Sequence, residues 1–93
     1  MAVELNDTVR RIIGSQIKLC RKNKNVSQAK LAKSIGVGFM TVSRWENGKT
    51  DISGVHLRAI AKALNVSADF LLGINVDETA KWKLAKIRKI LEQ

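Results

Sequence analysis

The chain has 93 residues, of which 17 are lysine or arginine and 8 are aspartate or glutamate, so its net charge is +9. This excess of positive charge attracts polyanions, which favours nucleic acid as a partner over an anionic membrane. No apolar run approaches the ~20 residues that a membrane-spanning helix needs, and Cys20 is the single cysteine, so we expect a cytoplasmic protein with neither a signal peptide nor a disulfide.

The N-terminal region predicts a short arm followed by a helix. Residues 1–7 carry little apolar pattern, and we expect them to form a flexible arm. From residue 8 to about residue 22, apolar residues recur mostly three or four positions apart, as in a helix that packs along one side. These residues are Val9, Ile12, Ile13, Ile17, Leu19 and Cys20. The polar residues 23–25 then end the helix.

The stretch 28–47, QAKLAKSIGVGFMTVSRWEN, predicts two short helices that meet at a glycine. Ser27 is a suitable N-cap for the first of them. Gly36 can adopt the left-handed backbone that ends a helix. The second helix is predicted over residues 39–46. Apolar spacing predicts the inward positions of this helical hairpin to be Leu31, Ala32, Ile35, Val37, Val42 and Trp45.

Two further helices are predicted after the polar turn at 47–51. Ser53 can cap a fourth helix, and Ser67 can cap a short fifth helix that ends before Gly73. Their inward residues are predicted to be Leu57, Ile60, Ala61, Leu64, Phe70 and Leu71. We therefore expect an all-α fold, a compact five-helix domain over residues 8–73.

Residues 77–93 predict a separate C-terminal helix. Its apolar residues are spaced four, three and four positions apart, and we call them the tail seam: Ala80, Leu84, Ile87 and Leu91. Trp82 falls on nearly the opposite side of such a helix. No single packing satisfies both sides. Either one side meets the domain and the other a second subunit, or Trp82 precedes the start of the helix.

The hairpin and its surroundings resemble the helix-turn-helix domain of the phage-repressor and Cro family, the lambda-repressor-like or XRE-type domain. The resemblance implies that the second hairpin helix enters a DNA major groove. It also implies a transcriptional regulator, a phage-type or prophage-type repressor that binds a two-fold operator as a homodimer. The residues that carry it are Ile13-Gly14, Arg21, VSRWENG at 42–48, IAKAL at 60–64 and FLLG at 70–73.

The resemblance assigns base reading to the outward residues of the second hairpin helix, which are Phe39, Met40, Thr41, Ser43 and Arg44. Arg44 can bind guanine O6 and N7 with both of its terminal nitrogens. Phe39 and Met40 stand where the family often has Gln, Asn or Ser, so apolar contact with thymine methyl groups would replace a polar network. Phe39 is equally interpretable as a core residue. Contacts with phosphates are expected from Ser27, Gln28, Asn47, Lys49 and Thr50.

Two structural roles also follow from the resemblance. Arg21 and Glu46 resemble a buried ion pair that links the first and third helices. A dimer surface is expected after residue 68, with Phe70, Leu84, Ile87 and Leu91 as candidates.

Other classes of function have less support in the sequence. The single histidine, His56, and the single cysteine are not accompanied by clustered carboxylates or metal-ligand spacing, so we expect no enzyme activity, metal, cofactor or small-molecule ligand. The alternative to a DNA-binding regulator is a protein-interaction module or an antitoxin-type component that uses the same scaffold.

Overall fold

The computed structural model describes the backbone of residues 2–74 and the side chains of residues 6–74. The predicted C-terminal helix at 77–93 lies outside the described residues, and so does the packing of Trp82. Within residues 2–74 the chain forms helices and no strand. The helices are α1 (Ala2–Asn23), α2 (Gln28–Ile35), α3 (Phe39–Glu46), α4 (Gly54–Leu64) and α5 (Ala68–Leu71). The predicted all-α, five-helix fold is therefore confirmed.

The first helix begins earlier than the sequence pattern predicts. α1 starts at Ala2, so residues 2–7 are helical and the predicted start at residue 8, after an arm, is wrong. The reason is that apolar periodicity indicates which side of a helix packs, and it does not mark where the helix begins. Residues 2–7 contain no glycine or proline to stop a helix. Asp7 also forms an ion pair with Arg11 one turn later, at 3.1 Å, a spacing that supports helices.

The predicted helix ends are formed by local chemistry. The hydroxyl groups of Ser27, Ser53 and Ser67 accept hydrogen bonds from backbone N–H groups in the first turns of α2, α4 and α5. Each bond satisfies one donor that a helix start leaves without a partner. Gly36, with φ of 75°, and Asn65, with φ of 56°, end α2 and α4 in the left-handed conformation. These caps fix where each short helix starts and stops.

The core is a single cluster to which all five helices contribute. α2 packs across α3 and against α4, α1 packs on α3, and α5 closes the space between α1 and α4. Ala32 is buried in the hairpin, where its small side chain allows α2 and α3 to approach closely. The buried apolar residues are Ile13, Ile17, Cys20, Leu31, Ala32, Val42, Trp45, Leu57, Ile60, Ala61, Leu64 and Leu71. The inner face of α3 is therefore held by the rest of the domain.

A glycine in the middle of α1 allows that helix to lie directly on the end of α3. A Cβ atom placed on Gly14 would meet the backbone oxygen atoms of Trp45 and Glu46, the latter at 2.8 Å. Backbone atoms cannot move aside as the end of a side chain can. Gly14 therefore sets the distance between α1 and α3, although a glycine inside a helix costs ~1 kcal/mol relative to alanine.

A buried ion pair joins the same two helices. The guanidinium of Arg21 in α1 donates from Nε to one carboxylate oxygen of Glu46 at 2.6 Å and from Nη2 to the other at 3.0 Å. Its Nη1 donates to the carbonyl oxygen of Val26 at 2.8 Å. The amide of Gln28, at the start of α2, donates to the Glu46 carboxylate at 2.9 Å. The pair implied by the resemblance is thus present, and it forms part of a network that includes α1, α2 and α3.

The charge state of this network follows from its geometry. The hydrogen bond with Glu46 raises the pKa of the Arg21 guanidinium above its ordinary value, while burial acts in the opposite direction. Arg21 therefore stays charged. Among residues 6–74, no buried side-chain nitrogen or oxygen is left without a hydrogen-bond partner, which is the condition under which a buried charge pair is tolerated.

Replacing Gly14 with alanine is expected to destabilise the domain by about 1–3 kcal/mol, because the new methyl group forces α1 away from α3. Denaturant unfolding followed by circular dichroism measures this loss. The matched control is Gly54→Ala, because a Cβ atom at Gly54 meets nothing within 4 Å. An equal effect of the two changes would contradict the close approach of α1 and α3.

Replacing Arg21 with methionine is expected to destabilise the protein by about 3–5 kcal/mol, because Glu46 is then a buried charge without its partner. Glu46→Gln should also be strongly destabilising, because Arg21 is then the buried charge without its partner. The introduced amide has one acceptor oxygen, so its NH2 group would face a donor of Arg21 or Gln28. The control is Asp51→Asn, which breaks the exposed pair between Arg10 and Asp51 and should have a much smaller effect. If both pairs prove equally important in urea unfolding, the buried pair is not what holds α1 and α3 together.

Candidate nucleic-acid interface

The two sides of α3 have different environments. Val42, Trp45 and Glu46 are buried against α1 and α2. Phe39 and Met40 are on the outside, 51% and 57% exposed. Phe39 is therefore a surface residue and not a core residue. The positions of α3 that face the core are occupied by Val42 and Trp45. The N-terminal half of α3 presents two large apolar side chains to solvent.

The other predicted base-reading residues lie on the same helix. Arg44 is exposed, while Thr41 and Ser43 are half-buried. The side-chain amide of Asn47 lies 3.5 Å from the Ser43 hydroxyl oxygen, which is long for a hydrogen bond. All five residues predicted to read bases therefore belong to one short helix, and three of them extend into solvent.

At the start of α2, the side chains of Ser27 and Gln28 form hydrogen bonds within the protein, which the sequence does not predict for Gln28. The Ser27 hydroxyl accepts a hydrogen bond from the backbone N–H of Lys30 at 3.0 Å. The Gln28 side chain is half-buried and donates to Glu46. The sequence predicts that both residues contact phosphate, yet their side chains hold the helix end and the ion pair. What remains for an anion at this point is the set of backbone N–H groups that a helix start leaves without an intrahelical acceptor.

The turn after α3 forms the other edge of this surface. Asn47, Lys49 and Thr50 are exposed there, as expected for residues that contact a backbone. The turn is fixed, because the Lys49 N–H donates to the carbonyl oxygen of Arg44 at 2.9 Å. Gly48 adopts a positive φ of 67° against Arg11, a conformation that favours glycine. The exposed polar side chains are therefore carried by a well-defined loop.

The charge of the hairpin surface is entirely positive. Between residues 27 and 50 the sequence contains one acidic residue, Glu46, and its carboxylate is buried and neutralised by Arg21. The exposed cations of this segment are Lys30, Lys33, Arg44 and Lys49. Such a surface attracts phosphate. The next acidic residue, Asp51, is exposed and forms an ion pair with Arg10 at 2.6 Å.

The single cysteine and the single histidine, Cys20 and His56, pack against other residues of the domain. Burial raises the pKa of the Cys20 thiol, which makes the thiolate scarce at neutral pH. His56 lies against the Trp45 ring, with ring centres 5.2 Å apart, and its Nδ1 is 2.9 Å from the Ser53 hydroxyl. Within residues 2–74, no group of three or more His, Cys, Asp or Glu residues is placed to hold a metal ion. No helix of that range is long and apolar enough to cross a membrane.

Comparison with known proteins points to one family. The helix-turn-helix family HTH_3 matches residues 17–71. Repressor protein C2 of Salmonella phage P22 is 37% identical over 68 residues, which are 73% of this chain and 32% of that protein. Antitoxin PezA of Streptococcus pneumoniae serotype 4 is 32% identical over 62 residues, which are 67% of this chain and 39% of that protein. The chain thus spans less than half the length of either relative.

Solved structures show the same architecture. The P22 c2 repressor, in a crystal structure with synthetic operator 9T, aligns with a TM-score of 0.63 and 39% identity. The alignment covers 67% of this chain and 94% of that chain. The described helices are thus arranged as in a lambda-repressor-like domain, and the chain belongs to the helix-turn-helix family of the phage-repressor and Cro type.

Proposed function

We propose that this protein is a transcriptional regulator that binds double-stranded DNA sequence-specifically through α3, and that it acts as a repressor of the phage or prophage type. The observation that carries the proposal is the division of α3 into a buried side and an exposed N-terminal half. An α-helix fits the major groove by size, and its outward N-terminal residues are those that reach base edges. The similarity to a repressor solved with an operator supports this orientation.

The exposed residues of α3 support two kinds of base contact. Arg44 has a planar guanidinium that matches guanine O6 and N7. Phe39 and Met40 have only apolar surface to offer, so their natural contacts are thymine methyl groups. We therefore propose an operator half-site that contains a guanine and at least one thymine within the stretch covered by α3.

Contacts with the DNA backbone would come from both sides of α3. Lys30 and Lys33 lie on α2, and Lys49 lies in the turn after α3. Contacts with phosphates fix orientation and contribute affinity that falls with salt, but they carry little sequence information. The side chains of Ser27 and Gln28 already form hydrogen bonds within the protein. The first backbone N–H groups of α2 are therefore the donors that we propose for a phosphate on this side of α3.

A homodimer on a two-fold operator is the assembly we propose. A single domain of this size makes few contacts, so two copies are needed for useful affinity. Half-sites about 34–36 Å apart would place both α3 helices on one face of the duplex. Phe70 is half-buried on α5 and is the one predicted dimer residue within the described range, since Leu84, Ile87 and Leu91 lie outside it. With DNA as its target, we propose that the protein works in the cytoplasm.

The experiment that tests this function is selection of binding sites from random duplex DNA, followed by affinity measurements against salt. We expect an inverted repeat and a steep loss of affinity as salt rises. Recovery of no motif, with only weak salt-sensitive binding, would contradict sequence-specific regulation.

A protein-interaction module is the second candidate. The exposed pair Phe39 and Met40 favours it, because adjacent large apolar side chains on a surface are typical of protein contacts. The similarity to an antitoxin points the same way. Failure to select any DNA sequence, together with loss of a partner complex in a Phe39→Ala variant, would favour this candidate.

Replacing Arg44 with alanine is expected to remove about 1–3 kcal/mol of discrimination at one guanine of the selected site. The fold should not change, since the side chain is exposed. The measurement compares affinities for the selected site and for a site with that base pair changed. Arg58→Ala removes the same charge from α4 and serves as the control. Equal selectivity in wild type and Arg44→Ala would contradict base reading by Arg44.

Replacing a contacted thymidine with deoxyuridine removes only the methyl group of the base. The change therefore tests directly whether an apolar side chain contacts that methyl group. Wild-type protein should lose about 0.8 kcal/mol of affinity, the value of one buried methyl or methylene group. The Met40→Ala variant should show little further loss from the same base change. If both proteins respond equally at every thymine of the site, Met40 does not contact a methyl group.

A further inference from the structure

α1 carries an apolar face that the domain does not cover. Val9, Ile12 and Leu19 are exposed, and Leu19 is 59% exposed. Gln16 lies in the same row, half-buried. Successive positions are three, four and three residues apart, so the four side chains share one side of the helix. We call this row the α1 face: Val9, Ile12, Gln16 and Leu19.

The α1 face lies on a different side of α1 from the residues that contact α3, although its first residue, Val9, lines a pocket with Thr50 of the turn after α3. α1 contacts α3 through Gly14 and Arg21, which are not part of the row. On its other border the row meets α5, since the Gln16 side-chain amide donates to the carbonyl oxygen of Phe70 at 3.0 Å. A row of large apolar side chains on one exposed helix side is a surface for another element to pack on.

The chain leaves the described region beside this face. Gly73 follows α5 with a positive φ of 82°, and a Cβ atom placed there would lie 2.7 Å from the Cγ2 of Ile12. Ile74, the next residue, is exposed and apolar. The described part of the chain therefore ends beside Ile12 of the α1 face.

The sequence of residues 75–93 supplies a matching apolar row. The tail seam, Ala80, Leu84, Ile87 and Leu91, has spacings of four, three and four, against three, four and three on the α1 face. As helices at ~1.5 Å per residue, the α1 face would be about 15 Å long and the tail seam about 16.5 Å long. The few residues between Ile74 and Ala80 can span up to ~20 Å, enough to bring the two rows together.

We propose that the tail seam of each chain packs on the α1 face of the same chain, as a sixth helix of the domain. Attachment of the tail beside Ile12 gives it an effective concentration in the millimolar range, which a second copy does not have. The seam residues Leu84, Ile87 and Leu91 would then be used within one chain. The other side of the tail, with Trp82, would be left for a second subunit, one of the two arrangements that the sequence allows. This inference does not depend on DNA binding.

The test is a mutant cycle on the full-length chain, followed by denaturant unfolding. Leu19→Ala should raise the unfolding equilibrium constant about tenfold or more, because a side chain covered by the tail loses buried area. Val55, 78% exposed on α4, provides the matched control, and Val55→Ala should change that constant by no more than about twofold. Equal small effects at both positions would overturn the proposal, because the α1 face would then be bare.

The second half of the cycle identifies the occupant. In a Leu84→Ala, Ile87→Ala background the tail should be detached, so the added effect of Leu19→Ala should fall to that of Val55→Ala. This expectation holds for either direction of the tail along α1. An effect of Leu19→Ala that is unchanged in the seam background would overturn the assignment of the tail to this face.

Dilution separates packing within a chain from packing between copies. The coupling between Leu19 and the seam should persist at concentrations where sedimentation shows only monomers. If it disappears on dilution together with the dimer, a second copy covers the α1 face and the proposal is wrong.

Discussion

The buried ion pair between Arg21 and Glu46 is the interaction on which the arrangement of the hairpin depends. Glu46 is the last residue of α3, and its carboxylate accepts hydrogen bonds from α1 through Arg21 and from the start of α2 through Gln28. Taking both charges out of water is costly, and the two-point geometry with its additional hydrogen bonds offsets that cost. One carboxylate thereby fixes the relative positions of three helices, including the helix proposed to enter the groove.

The same network separates the structural charges from those available to a ligand. Arg21 and Glu46 neutralise each other inside the protein, so the hairpin surface keeps only its exposed cations. Gly14 complements the ion pair, since it lets α1 approach the backbone of Trp45 and Glu46 without a side chain between them. The exposed half of α3 is thus presented by a rigid support, which is what selective contact with base edges requires.

How much the sequence predicts depends on whether the cause is local. The caps at Ser27, Ser53 and Ser67 follow from chemistry within one helical turn, and the structure has all three. The start of α1 is not predictable in this way, because apolar periodicity does not mark where a helix begins and residues 2–7 offer no strong cap. The exposure of Phe39 depends on how far other helices fill the core, so the sequence leaves it undecided. Gln28 meets Glu46 across 18 positions of sequence, and no spacing rule connects them. Gly14 is the one available hint of a close approach, because a glycine inside a helix is costly.

We propose that the exposed half of α3, held by the buried network, is the surface that binds DNA. The most direct measurement is nuclear magnetic resonance of the labelled protein during titration with the selected duplex, with backbone amide shifts followed residue by residue. We expect the largest changes at residues 39–44, at the start of α2 and at Lys49, with α4 little affected. Changes centred on the α1 face or on α4, with α3 unaltered, would contradict this claim.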